Sequence, residues 1–333
     1  MYDEKPYEFI GFPKKSPDRA KGAGQDCIRA ELLSGTLTLT LRTLTPVHVG
    51  SGYTDFVKAG NQETLAALQA SKRVRDENTL RRRYLIPGSS VKGAVRSIVE
   101  AITRSCVRVV QGKYRPYLPQ SYGGCVRIDQ LCPACRLFGT QDYQGHLSFE
   151  DAVAPPGSLV MLGVPLLWTP ARGVRGLPSI YLDRHGAAKG RKFYFHAKYA
   201  QGADARTCIK TGAELPLRIH FVNLEEAELG VLLTALGLHP AYRFPIKLGG
   251  GKPVGLGTVE LEAHSLRLLQ GRAALQQTGR LGQATEHQGD ALGQLIQRYT
   301  AKAQALLEEQ ALKALAEVYA KEGLNNTAPA EPY

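Results

Sequence analysis

At 333 residues with 43% hydrophobic side chains, the chain is long enough to bury the core of one large domain or two modest ones. A formal net charge of +12 points to an anionic partner, whether nucleic acid, an anionic membrane surface or an acidic protein. No run of eighteen apolar residues occurs and Met1 to Lys5 lacks a signal-peptide core, so a cytoplasmic protein without a membrane partner is expected. Six cysteines in a chain of this size exclude a disulfide scaffold and suit buried thiols or metal ligands instead.

Residues 1–30 are polar, carry Gly11-Phe-Pro-Lys-Lys-Ser-Pro17, and read as an extended N-terminal arm. Thr36-Leu-Thr-Leu-Thr-Leu-Arg-Thr-Leu44 then alternates as a half-buried strand does, and Pro46 ends it. The segment 53–85 is polar, holds Lys72, Arg73, Arg75 and Arg81-Arg82-Arg83, and reads as an exposed excursion with a short helix around Glu63 to Ala70. Pro87-Gly88-Ser89 opens a helix whose apolar positions Val91, Ala94, Val95, Ile98 and Val99 follow a helical period. Segment 106–140 is loop-rich and contains four cysteines, and a strand is expected over Gly145 to Ala152.

Segment 153–212 is a basic insertion in which Phe193, Tyr194 and Phe195 could stack on bases or pack in the core. Leu215, Leu217, Ile219 and Phe221 alternate as a strand, Glu225 to Leu238 reads as a helix, and a strand runs through Val259 and Leu261. From residue 265 the composition turns to Gln, Ala, Leu and Glu. The helical period from Asp290 to Glu322 marks a tail over 265–333 that folds on its own domain or docks on a neighbour. Strand–helix–strand repeated twice within 31–264 predicts an α+β protein with a ferredoxin-like, RNA-recognition-motif-like core carrying large loop insertions.

Three glycine-punctuated segments carry the functional signal. Thr45-Pro-Val-His-Val-Gly-Ser-Gly52 contributes His48, Gly50, Ser51 and Gly52, and Ile86-Pro-Gly-Ser-Ser-Val-Lys-Gly93 contributes Ser89, Ser90, Lys92 and, a turn later, Arg96. The third segment runs from Lys247 to Gly257 and holds Gly249, Gly250, Gly251, Lys252 and Gly255. Glycines beside hydroxyls and lysines permit close approach to phosphates, and a helix start adds free amides and a positive dipole end. The spacings are those of neither a Walker loop nor a dinucleotide fingerprint. Cys106, Cys125, Cys132 and Cys135 end in a CxxC knuckle that suits structural Zn2+, with His146 a substitute for Cys106.

With Cys132-Pro-Ala-Cys-Arg-Leu-Phe-Gly139 and Phe149-Glu-Asp-Ala152, these ordered segments resemble the RAMP superfamily of CRISPR-associated RNA-binding proteins. The likeness is to the backbone subunits of type III effector complexes and spans roughly residues 36–261. It implies a subunit that binds CRISPR guide RNA along its backbone, meets complementary target RNA and stacks with other subunits along the guide, while a β-hairpin thumb, here placed at 53–85, interrupts the guide–target duplex at intervals. It also implies a zinc-binding insertion at 106–140.

Cleaving members carry an aspartate about six residues before a second one. Val74-Arg75-Asp76 resembles the second position, but the first is Ala70. Asp55 is then the remaining candidate, with Mg2+ or another divalent ion, so binding is expected ahead of endonuclease activity. Two alternatives stay open. One is a repeat-RNA processing endonuclease using His48 as general acid or base, and the other a zinc-stabilised structural RNA-binding protein without a guide.

Overall fold

The computed structural model describes residues 5–59, 62–76, 79–108, 110, 112–167, 177–269 and 284–330. Along the chain come β1 (Tyr7–Ile10), β2 (Leu33–Thr43), β3 (Gly50–Ala59), β4 (Gln62–Gln69), β5 (Ser71–Asp76) and β6 (Thr79–Ile86). There follow α1 (Gly88–Ile102), α2 (Pro133–Phe138), β7 (Leu147–Phe149), β8 (Leu159–Val164), β9 (Arg191–Tyr194), β10 (Asp204–Ile209) and β11 (Glu214–Leu224). The last are α3 (Glu226–Ala235), β12 (Ile246–Lys247), β13 (Thr258–Leu269), β14 (Thr285–Gln288), α4 (Gly289–Ala303) and α5 (Glu309–Val318).

The central sheet is antiparallel, in the order β12-β13-β2-β11-β7, with β14 added on β13. Alternation in β2 sends Leu37, Leu39 and Leu41 to one face and leaves Thr36, Thr38 and Thr40 on the other. β11 does the same, burying Leu215, Leu217, Ile219 and Phe221. The buried rows share one core with Val91, Val95 and Ile98 of α1, Val231 and Leu232 of α3, and Ile296 and Leu315 of α4 and α5. At about 2 kcal/mol per fully buried large aliphatic side chain, this shared core is the main term holding the layers together.

The opposite face of these strands is polar and pairs with itself. Thr36 Oγ1 lies 3.0 Å from His220 Nδ1, His264 Nε2 lies 2.7 Å from Thr40 Oγ1, and Arg42 and Lys321 hold Glu260. Aromatic rings are what an RNA-recognition sheet stacks bases on, and these rows offer only the imidazoles of His220 and His264, both held by hydrogen bonds to neighbouring side chains.

The strands expected from alternation are present at β2, β11 and β13, and the expected helices at α1 and α3. Two expectations are corrected. The helix around Glu63 to Ala70 is instead strand β4, which pairs antiparallel with β3 and meets β10 at Ala67 opposite Arg206. Its Glu-Thr-Leu-Ala-Ala composition favours a helix, but pairing on both sides and burial of Ala66 override that preference.

The tail is not one helix but two, because Glu308 N donates to Ile102 O and Leu307 bridges to Thr103, diverting the chain against the end of α1. Leu292, Ile296, Tyr299, Leu312 and Leu315 of the tail are buried in the chain's own core.

β3 and β4 form one hairpin, joined through β10 to β8 as a second sheet, and β5 and β6 form another hairpin. Both precede α1. At Gly88, the first residue of α1, a Cβ would sit 2.1 Å from Phe149 O, a backbone atom that cannot move aside. Gly88→Ala is therefore expected to destabilise the fold by about 2 kcal/mol, read as a lower midpoint in chemical denaturation.

Candidate nucleic-acid groove and thiolate cluster

The loop after β2 is clamped between β10 and the glycine loop. Val47 bridges to Ile209, and Gly250 N donates to His48 O at 2.7 Å. Gly249, Gly251, Gly255 and Gly257 all have positive φ, 79°, 70°, 91° and 87°. Their missing side chains are first a requirement of the chain's own packing. A Cβ on Gly249 would lie 2.4 Å from His48 O, and one on Gly257 would lie 2.0 Å from Leu248 O.

This close fit brings parts of the three segments to one open cleft of about 410 Å³. Its floor is Gly50, Gly249 and Gly250, and its wall is the Ser90, Gly93, Ala94 and Ser97 face of α1. Those helix positions fall three and four apart, so they lie on one side. Lys252 lines the same cleft. Burial pushes its pKa down, and its ammonium has no ion pair among the described residues. A half-buried lysine beside exposed backbone is suited to an anion that brings its own charge.

The other expected contacts go elsewhere. Ser89 and Lys92 face a neighbouring cleft beside Leu147 and His220, where Lys92 Nζ donates to Leu147 O at 2.9 Å. Burial and the adjacent Arg96 lower the Lys92 pKa. Arg96 itself is tied to Glu100 Oε1, Gly139 O and Cys135 Sγ. Lys247 is 2% exposed with Nζ donating to Phe195 O, and desolvation lowers its pKa to about 7. Gly251, Gly255 and Gly257 turn toward Leu256, Lys198 and Leu248.

Ser51 borders a third cleft with Asp55, Gln69, Ala70 and Arg82, and Gly50 belongs to both it and the groove, whereas Gly52 lines neither. Asp55 is exposed on β3, its Oδ1 accepting only the Phe56 N–H among described partners. The side chain of Asp76 lies outside the described residues.

His48 is 4% exposed. Its Nδ1 lies 2.8 Å from the Thr207 carbonyl, which can only accept, so Nδ1 carries the proton. Desolvation keeps the ring neutral by pushing its pKa down.

Two residues had no role assigned from the sequence. Arg206 Nη1 is 3.8 Å from where a Gly250 Cβ would stand, and the guanidinium is held by Asp204. Asp151, within the Phe149-Glu-Asp-Ala152 string, accepts the Gly88 N–H at 3.0 Å and the Lys72 ammonium at 3.2 Å.

These contacts hold the Asp151 carboxyl below its ordinary pKa, the Gly88 amide contributing most. Its stabilisation is present above the unfolded value and is lost as pH falls through the lower folded value. Asp151→Ala should cost about 1 kcal/mol at neutral pH, kept modest by 39% side-chain exposure, and the difference from wild type should shrink as pH falls below the ordinary carboxylate range.

The four cysteines Cys106, Cys125, Cys132 and Cys135 are buried and free, with all Sγ atoms within 4.8 Å of one another. Cys106 Sγ stands 3.6 Å from Cys135, 3.6 Å from Cys132 and 3.9 Å from Cys125. Four ligands about 2.3 Å from a central zinc in a tetrahedron would stand about 3.8 Å apart, so the set fits. His146 is not needed: it is bonded to Val222 O and Tyr143.

The surroundings point the same way. Cys106 N and Cys132 N donate to sulfurs of the cluster, and Arg191 Nη2 donates to Ser105 O and Cys106 O. Arg191 Nε and Nη1 are buried without a hydrogen-bond partner among the described residues. Glu100 offsets only one of the charges on Arg96 and Arg191, whereas zinc on four thiolates supplies a net negative centre beside both. The group can hold a metal such as zinc.

Among the described residues no helix is long and apolar enough to cross a membrane. No curated protein matches the chain. The family model of the RAMP superfamily matches residues 40–260, from β2 through the glycine loop into β13 and over well more than half of the sequence, and the chain belongs to that superfamily.

Proposed function

We propose that this chain is a CRISPR guide RNA-binding backbone subunit of a type III effector complex, and that it holds RNA without cutting it. The observation that carries the reading is the convergence of Gly50, Gly249 and Gly250 with the Ser90–Ser97 face of α1 and the unpaired Lys252 in one cleft. Side-chain-free backbone, hydroxyls and one desolvated cation suit a sugar-phosphate backbone, and none of them reads a base. The antiparallel order β13-β2-β11-β7, joined through α1 and α3, supports a ferredoxin-like core beneath it. With its sheet face polar, RNA is held at the groove rather than stacked on the strands.

The β5–β6 hairpin supports a polyanionic partner. Arg73 stands opposite Arg82. Like charges facing each other across a ladder cost stability unless something negative lies over them. Complementary target RNA is the partner proposed there, with the β3–β4 hairpin as the thumb.

Ala70 supports binding without cleavage. Its N–H donates to Val49 O and its carbonyl accepts from Leu85, so it sits where the two hairpins meet beside Gly50. A methyl group there can neither position a ribose hydroxyl nor hold a divalent ion. The buried neutral His48 likewise makes a poor general acid for repeat-RNA processing. The cysteine cluster is assigned a structural zinc.

The test is to sequence the RNA that co-purifies with the tagged protein from its native host and to identify its protein partners. Small repeat-tagged spacer RNAs within a large multi-subunit complex are expected. Ribosomal RNA, or none after a salt wash, would replace this reading with a zinc-containing structural RNA-binding protein lacking a guide.

A further inference from the structure

Two of the glycines that floor the groove are not required by the fold. Gly50 and Gly250 lack the positive φ of Gly249 and Gly251, so the backbone at neither position calls for glycine. Neither is crowded. A Cβ on Gly50 would stand 3.4 Å from His48 Nε2, and one on Gly250 would stand 3.5 Å from His48 Cδ2, both ordinary contacts. What the two missing side chains leave uncovered is one edge of a single imidazole, lying beneath the floor they form.

That edge carries a lone pair. Nδ1 faces the Thr207 carbonyl at 2.8 Å and holds the ring's proton, so Nε2 can only accept. His48 is 4% exposed, yet Nε2 has no hydrogen-bond partner among the described residues. Nor is Nε2 sealed from solvent: among the described residues the buried, unpartnered side-chain atoms belong to Arg191. A buried acceptor without a partner is costly to leave unanswered, and the space that a methyl group on Gly50 would fill lets a donor in.

A sugar-phosphate chain offers such an acceptor one kind of partner. Its phosphate and ester oxygens only accept, whereas the ribose 2′-hydroxyl donates. Two cations stand close by for the phosphates: Lys252 in the groove, and Arg206, whose Nη1 is 3.8 Å from the Gly250 Cβ position. We infer that His48 Nε2 accepts a hydrogen bond from one ribose 2′-hydroxyl of the strand in the groove, reached between Gly50 and Gly250, and that this contact makes the groove select RNA over DNA. This rests on the groove reading and adds to it the residue that tests the sugar. Desolvation, which lowers the His48 pKa, makes the ring a weak base, so it holds the hydroxyl without taking its proton.

The experiment uses the full-length protein and one single-stranded sequence made as RNA, as 2′-fluoro RNA and as DNA, with affinity read by fluorescence anisotropy. The 2′-fluoro strand keeps the sugar pucker of RNA but cannot donate, which separates the hydrogen bond from strand shape. Wild-type protein should bind RNA about ten-fold more tightly than the 2′-fluoro strand, and DNA no better than the latter. In Gly50→Ala the methyl group covers Nε2, and the preference for RNA over the 2′-fluoro strand should disappear. His48→Asn, which keeps a donor for the Thr207 carbonyl and lacks Nε2, should lose the same preference. Circular dichroism checks that each variant is folded.

A preference retained by both variants, or absent from wild type, overturns the role of His48 while leaving the groove reading in place. Failure of wild-type protein to bind any of the strands overturns both. A preference that follows the base sequence rather than the sugar would place a base donor on Nε2 and overturn the assignment to the 2′-hydroxyl.

Discussion

Gly93→Glu should lower RNA affinity by ten- to a hundred-fold while the protein melts no lower than wild type. Gly93 is an exposed residue within α1, and a Cβ there meets nothing within 4 Å. Glycine at such a helix position costs about 1 kcal/mol relative to a good helix former, so glutamate removes a local penalty. The same side chain projects into the groove that Gly93 lines with Lys252. It puts a carboxylate where a phosphate is proposed to lie and offers Lys252 an internal partner, and facing like charges cost several kcal/mol. Gly93→Ala is the control, expected to bind RNA like wild type and to melt about 2 °C higher. If Gly93→Glu binds as tightly as wild type, the RNA does not pass through this groove.

Cys132→Ser should abolish stoichiometric zinc and unfold the segment around it. Metal analysis of the purified protein and limited proteolysis would show both, and a strong chelator should reproduce them. Cys132 contributes a sulfur 3.6 Å from that of Cys106 and accepts the Cys106 N–H, so the substitution removes one ligand and disturbs a second. Structural zinc in small peptides contributes about 10–16 kcal/mol to folding, more than the loop-rich 106–140 segment can replace from its own contacts. The damage should spread along specific links. Leu131 bridges to Ala20 in the N-terminal arm, and Arg136 in α2 holds the buried Glu228 of α3 at 2.7 Å. Proteolysis is expected to open the arm and the cysteine segment before the central sheet. Zinc content and protease resistance unchanged in Cys132→Ser would rule out the four-thiolate site.

What could be read from the sequence follows the range of the interactions concerned. β2 and β11 announce themselves because alternation is a property of adjacent residues, and α1 because its period and its Pro-Gly-Ser start are equally local. The cysteines could be grouped because two ligands share a CxxC. β4 could not be read, since its strand state comes from β3 and β10 rather than from Gln62-Glu-Thr-Leu itself. Nor could the break between α4 and α5, which depends on Ile102 two hundred residues earlier in the chain.

The glycine loop was legible as a special place but not in its reason. Most of its glycines answer to the chain's own carbonyls, and only Gly249 and Gly250 also floor the groove. Lys247 looks like its neighbour Lys252 in sequence, yet one points into the core and the other lines the cleft. Asp151 and Arg191 do their work across long sequence separations and leave no trace in spacing.

The opposed cations of the β5–β6 hairpin have a consequence for how salt acts. In the free protein, added ions weaken the repulsion between Arg73 and Arg82, so this hairpin tightens as ionic strength rises. In a complex with RNA, the same ions compete with the protein for phosphates and loosen it. The hairpin would be firmest in two opposite circumstances, brine without RNA and dilute buffer with it, and hydrogen exchange along its strands would trace both branches.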